Sequence, residues 1–98
     1  MAIPRFSLGQ CVTTPGALEA LQSAGISPLQ LLARHVRGDW GDLSQDDLEA
    51  NNQALEDGSR LLSAYELPGQ DQKVWIITEA VGDDGQRASS CILMADEY

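Results

Sequence analysis

The chain has 98 residues, enough for one domain with a modest core, and its 43% hydrophobic and 21% charged content is that of a globular protein rather than a disordered one. Six Lys and Arg against fifteen Asp and Glu give a formal charge of -9, a field that repels phosphate backbones and anionic membranes and attracts basic surfaces. No apolar run approaches the roughly 20 residues that span a bilayer, and residues 1–7 lack the apolar stretch of a signal peptide, so one cytoplasmic domain over 1–98 is expected.

In chain order, "RFSLGQCVT" (5–13) places Phe6, Leu8 and Val12 on one face at period two, the pattern of a half-buried strand. "TPGALEALQSAG" then reads as a helix, with Thr14 as N-cap, Pro15 at the first position and Gly25 as the stop. "SPLQLLARHVRG" repeats that grammar with Ser27, Pro28 and Gly38. Leu29, Leu32, Ala33 and Val36 recur at the spacing of one buried helix face. A third helix opens at "LSQDDLEANNQALEDG": Ser44 caps, Asp47 takes the capping-box position, Leu43 and Leu48 form the staple, and Gly58 stops it.

Three strand-like runs follow, "RLLSAYEL" (60–67), "KVWIITEA" (73–80) and "ASSCILMA" (88–95), joined by the turn-rich connectors "PGQDQ" and "VGDDGQR". The middle run is apolar on both faces and should be the central strand. The order β-α-α-α-β-β-β predicts a small α+β domain with an antiparallel sheet and helices packed on one face.

Chemical signatures are sparse. There is no phosphate-binding glycine loop, and one His with two distant Cys makes no zinc set, so no metal and no cofactor is expected. Cys11 and Cys91 are expected as reduced, half-buried thiols. Asp83-Asp84-Gly85 is a hairpin turn, lacking the ligand spacing of a calcium loop. His35 could meet Cys11 or Ser63 in space, but a histidine at a helix end ordinarily caps or faces solvent, and no catalytic residue is assigned. Asn51 and Asn52 fall on the inward stripe of the third helix, where buried amides would tie it to a neighbouring backbone.

The densest constellation is "ARHVRGDWGDLSQDDLE" (33–49). Arg34, His35 and Arg37 suit the negative end of a helix dipole, and the acidic block suits the positive start of the next. Arg34 and Arg37, at i and i+3, can reach Asp39 or Asp42 across the joint. Trp40, between Gly38 and Gly41, is either a plug in the joint or an exposed contact anchor. The candidate binding set is therefore Arg34, His35, Arg37, Asp39, Trp40 and Asp42.

The stretches "TPGALEAL", "LLARHVRGDWGDL", "LLSAY", "KVWIITEA" and the terminal "DEY" resemble a family of small bacterial proteins catalogued as plasmid-related, and sometimes labelled a subunit of type I restriction enzymes. The resemblance covers nearly the whole chain and carries no established activity. A chain this short cannot be a restriction-modification methyltransferase, so it implies an accessory protein of plasmids or integrative elements. The C-terminal hairpin departs from the family's pattern: "VGDDGQRASSCILMADEY" has a longer turn, and Met94-Ala95-Asp96 replaces the usual ending. The order of elements is also similar to small ribosome-dependent ribonuclease toxins, but those need a basic surface to hold RNA.

The expectation is thus a non-enzymatic interaction protein. Its partner would be a host or element-encoded protein with a basic surface, with no direct nucleic acid and no membrane, and with a homodimer as the further assembly considered. An anti-restriction or anti-CRISPR inhibitor is the sharpest version. The competing expectation is a small-ligand binder or enzyme using Arg34–Trp40, with a concave pocket containing His35 or Arg37.

Overall fold

Each helix starts where a hydroxyl can take a free backbone N–H, as the sequence predicts. In α1 (Pro15–Ala24) Thr14 Oγ1 accepts from Ala17 N at 3.1 Å. In α2 (Pro28–Val36) Ser27 Oγ accepts from Leu29 N at 3.2 Å, and Gln30 Oε1 accepts from Ser27 N at 2.7 Å. In α3 (Gln45–Asp57) Ser44 Oγ accepts from Asp47 N at 3.2 Å. Gly25 and Gly58 close α1 and α3 in the left-handed conformation.

The computed structural model describes residues 4–98; the signal-peptide reading of residues 1–7 falls in part on residues 1–3, outside this range. Four strands form one sheet: β1 (Gln10–Thr13), β2 (Leu61–Tyr65), β3 (Val74–Thr78) and β4 (Ser89–Met94), in the order β1-β4-β3-β2. The last three make an antiparallel meander, and β1 joins the far side of β4 in parallel. A short 3-10 turn, Ala95–Glu97, ends the chain. The α+β class and the order β-α-α-α-β-β-β stand, while the expected antiparallel sheet is a mixed one, because β1 bonds to β4, the last strand, and runs parallel to it. No helix of the described residues is long and apolar enough to cross a membrane.

Strand pleating sorts the sheet into two faces. On the inner face Tyr65, Val74, Ile76, Ile92 and Met94 pack with Ala17, Ala20 and Leu21 of α1 and Leu31 and Leu32 of α2. A second cluster joins Trp40, Ala54 and Leu61, flanked by Phe6, Leu43, Leu48 and Leu55, so the staple pair does reach the core.

Four readings change. The first strand is shorter than 5–13, because Gly9 turns at φ +64° and a Cβ there would sit 2.4 Å from the Arg87 carbonyl; Arg5 N instead donates to Val36 O at 2.8 Å. The buried face of α2 is rotated: Leu31, Leu32 and His35 are inside, while Leu29 is 74% exposed and Ala33 faces solvent. The imidazole can be inside because the sheet supplies hydrogen-bond partners. Asn52 is exposed, and only Asn51 is buried. Cys91 is half-buried as expected, but Cys11 is exposed on the edge strand; both are free thiols.

The β2 edge is closed. Asn51 Nδ2 donates to Leu62 O at 2.6 Å and Oδ1 accepts from Leu62 N at 3.0 Å. Two residues on, Ala64 N donates to Trp40 O at 3.0 Å and Ala64 O accepts from Asp42 N at 2.7 Å. A side-chain amide and a three-residue loop thus complete a strand edge that would otherwise offer unpaired groups.

Candidate functional site

The joint between α2 and α3 divides into a buried half and a surface half. Trp40, only 6% exposed, stacks on Phe6 at 5.9 Å and meets the edge of His35 at 5.4 Å. The plug alternative therefore holds for Trp40. Its position depends on Gly41, where φ is +76° and a Cβ would lie 2.1 Å from Ala64 O, so only glycine lets this loop pair with β2.

His35, fully buried, bonds Ser63 Oγ through Nδ1 and lies 2.8 Å from Thr78 Oγ1 through Nε2. Thr78 Oγ1 lies 2.7 Å from Ser90 Oγ, which donates to Leu8 O at 2.7 Å. A carbonyl can only accept, and each hydroxyl has one hydrogen, so the direction of the whole chain follows. Ser90 donates to Leu8, Thr78 to Ser90, and His35 Nε2–H to Thr78. Burial keeps the ring neutral, so Nδ1 accepts from Ser63.

A serine donating to a histidine is the arrangement of a nucleophile and its base. Here, however, Ser63, His35 and Thr78 are all without solvent exposure, and the third partner is a hydroxyl rather than a carboxylate. Burial, with the Arg87 charge adding to it, pushes the imidazole down to about 4, leaving a weak base with nothing to stabilise an imidazolium. This network pins α2 to the sheet.

Arg87 is buried as well, 7% exposed, with its guanidinium bonded to carbonyls. It donates to Ser59 O at 2.8 Å, Glu79 O at 3.0 Å and Ala54 O at 3.2 Å, satisfying the C-terminal end of α3, and its guanidinium lies 5.8 Å from the Phe6 ring centre.

On the surface half, Arg34 grips Asp39 with both arms of its guanidinium, Nε to Oδ2 at 2.7 Å and Nη2 to Oδ1 at 3.2 Å. The same guanidinium lies 4.5 Å above the Tyr65 ring, and Tyr65 Oη donates to Asp39 O at 2.7 Å. The paired Arg34 holds the Asp39 carboxyl below its usual range, and burial pushes the Tyr65 phenol up to about 12. Asp42 pairs instead with Lys73, Nζ to Oδ2 at 2.7 Å. Arg37 is exposed and makes no ion pair among the described residues.

Of the six candidates, then, Arg34, Asp39 and Asp42 share one concavity of about 410 Å³ with Gly41, Tyr65 and Glu66. His35 and Trp40 are buried in the core, and Arg37 is exposed and not among the residues that line it. The pocket required by the ligand-binding alternative, one containing His35 or Arg37, is not what this concavity offers. Sequence reasoning named Ser63 as a possible neighbour of His35, which the structure bears out, and missed Thr78, Ser90, Tyr65, Lys73 and Arg87. A signal was present for two of them: Thr78 and Ser90, like Ser63, occupy inner-face strand positions, where a hydroxyl needs a partner. Compared with known proteins, the chain matches no family model, no curated protein and no solved structure.

Proposed function

We propose that the chain is a non-enzymatic accessory protein of a plasmid or other mobile element, acting in the cytoplasm by binding a host or element-encoded protein that presents a basic surface. Its sharpest form is an inhibitor that occupies the nucleic-acid groove of a restriction or CRISPR effector. One observation carries this reading, the fate of the charges. Of the six cations, Arg34 and Lys73 are paired with Asp39 and Asp42, and Arg87 is buried on carbonyls. The other thirteen carboxylates are all exposed. Such a surface steers toward cationic grooves and repels nucleic acid itself. The resemblance to plasmid-related proteins supports the setting, and the buried state of the Ser63–His35 pair favours binding over catalysis.

The test is affinity capture with the full chain from a host carrying such defences, together with phage plating efficiency on expression. The expected result is one captured defence protein, released by salt, and restored plating. Recovery of background proteins alone, with plating unchanged, overturns the reading.

A further inference from the structure

The outer face of the sheet joins neither hydrophobic cluster; on it Ala64, Ile77 and Leu93 are buried, while Leu62, Trp75 and Cys91 are half-buried. At its β2 end lies a groove of about 400 Å³, floored by Leu62, Ala64 and Trp75 and walled by Leu43. Asp42 and Asp47 stand on its rim, both exposed, with Lys73 as the one cation beside them and already bound to Asp42. Trp75 is half-buried and held in place: its ring meets Tyr98 at 5.4 Å, and Arg60 donates to the Tyr98 hydroxyl at 2.9 Å.

From this juxtaposition we propose that the groove is the docking site for the partner, and that its occupant is a protein segment bearing an apolar side chain flanked by Lys or Arg. The apolar side chain lies on Trp75 between Leu43 and Leu62. The flanking cations meet Asp42 and Asp47, one of them competing with Lys73. A fixed aromatic floor with a charged rim has the make-up of an interface hot spot, since the anchor is desolvated and little side-chain freedom is lost. The rim selects the partner's sign: a nucleic acid or an acidic segment would face two carboxylates, whereas a basic segment completes them. This inference rests on the basic-partner reading and adds where, and through which chemistry, the partner binds.

The probe is an amphipathic peptide of alternating Leu and Lys blocks, titrated into the full chain labelled with nitrogen-15. A second peptide has every Leu replaced by Ser at the same charge. The Leu/Lys peptide is expected to shift the Trp75 indole and the Leu43 and Leu62 amides while leaving the Trp40 indole unmoved. The Ser/Lys peptide should bind about tenfold more weakly, as loss of a buried aliphatic anchor implies. Neutralising Asp42→Asn with Asp47→Asn should weaken the Leu/Lys peptide by about tenfold, against about twofold for Asp83→Asn with Asp84→Asn, which removes the same charge at a distance. Shifts centred on Glu19 and Asp71, with Trp75 unmoved, would overturn the groove while leaving the basic-partner reading in place. Failure of both Lys-rich peptides to bind would overturn both.

Discussion

Asn51 behaves toward Leu62 as a neighbouring strand would, giving one hydrogen bond to its carbonyl and taking one from its amide, at 2.6 and 3.0 Å. A helix residue thereby ends the sheet, and the same contact fixes the height of α3 along β2. Asn51→Ala should leave both Leu62 groups without partners behind a closed edge, at about 2–4 kcal/mol in denaturant unfolding. Asn51→Asp should do no better, since it keeps one acceptor and sets a negative charge against the Leu62 carbonyl. Wild-type midpoints in both variants would mean that water replaces the amide at no cost.

His35 makes stability depend on pH in a defined window. Its folded-state pKa is lowered to about 4 from 6.5, so the unfolded chain takes up the proton first. The stability associated with the neutral ring is therefore complete above the unfolded value and is lost as pH falls from 6.5 toward 4. The loss amounts to about 3 kcal/mol across that window. Denaturant midpoints measured through this range should fall for the wild type. His35→Gln, whose amide can still accept from Ser63 and donate to Thr78, should flatten the curve there. A wild-type curve level across the window would show that the folded state takes up this proton as readily as the unfolded chain does.

Trp40 and Arg37 should separate cleanly. Truncating the buried indole in Trp40→Ala should cost about 3–5 kcal/mol. Arg37→Ala, exposed and unpaired among the described residues, should stay within about 0.5 kcal/mol of the wild type. Arg34→Ala falls between, at about 1 kcal/mol, because its ion pair with Asp39 is 39% and 41% exposed and screened. Thermal unfolding of the three variants side by side is the measurement. Wild-type stability in Trp40→Ala, accompanied by loss of a partner, would make the joint a binding site.

Two glycines with nearly equal φ should respond differently. Gly25 has φ +71° and nothing within 4 Å of an added Cβ, so Gly25→Ala should cost only the strain of the left-handed region, about 1–2 kcal/mol. Gly41, at φ +76°, faces the Ala64 carbonyl at 2.1 Å, and Gly41→Ala should break the loop from β2 at about 3 kcal/mol or more. Equal losses in the two variants would show that the loop can shift away without consequence.

Helix starts, two of the three stops, the order of elements along the chain and the turns were legible because each depends on residues a few positions apart, whereas the parallel seat of β1 beside β4 was not. A hydroxyl takes an N–H two or three residues on, and a strand alternates at period two whatever it later packs against. Periodicity located α2 but not its buried side, since Leu29, Leu32, Ala33 and Val36 describe an apolar face as regular as the one the fold uses. The choice between the faces was made by Ser63 and Thr78, 28 and 43 residues away from His35, whose hydroxyls give the ring partners that the periodicity of α2 itself does not contain. The ion pairs divide in the same way. Arg34 with Asp39 spans five residues and was among the pairs expected, whereas Asp42 with Lys73 exists only because β3 returns past the joint. Local hydrogen bonding and composition thus set the elements and the acidity of this chain by themselves; which residues were buried, paired or left at the groove over Trp75 was decided by the closure of the sheet, because those contacts join positions that only tertiary folding brings together.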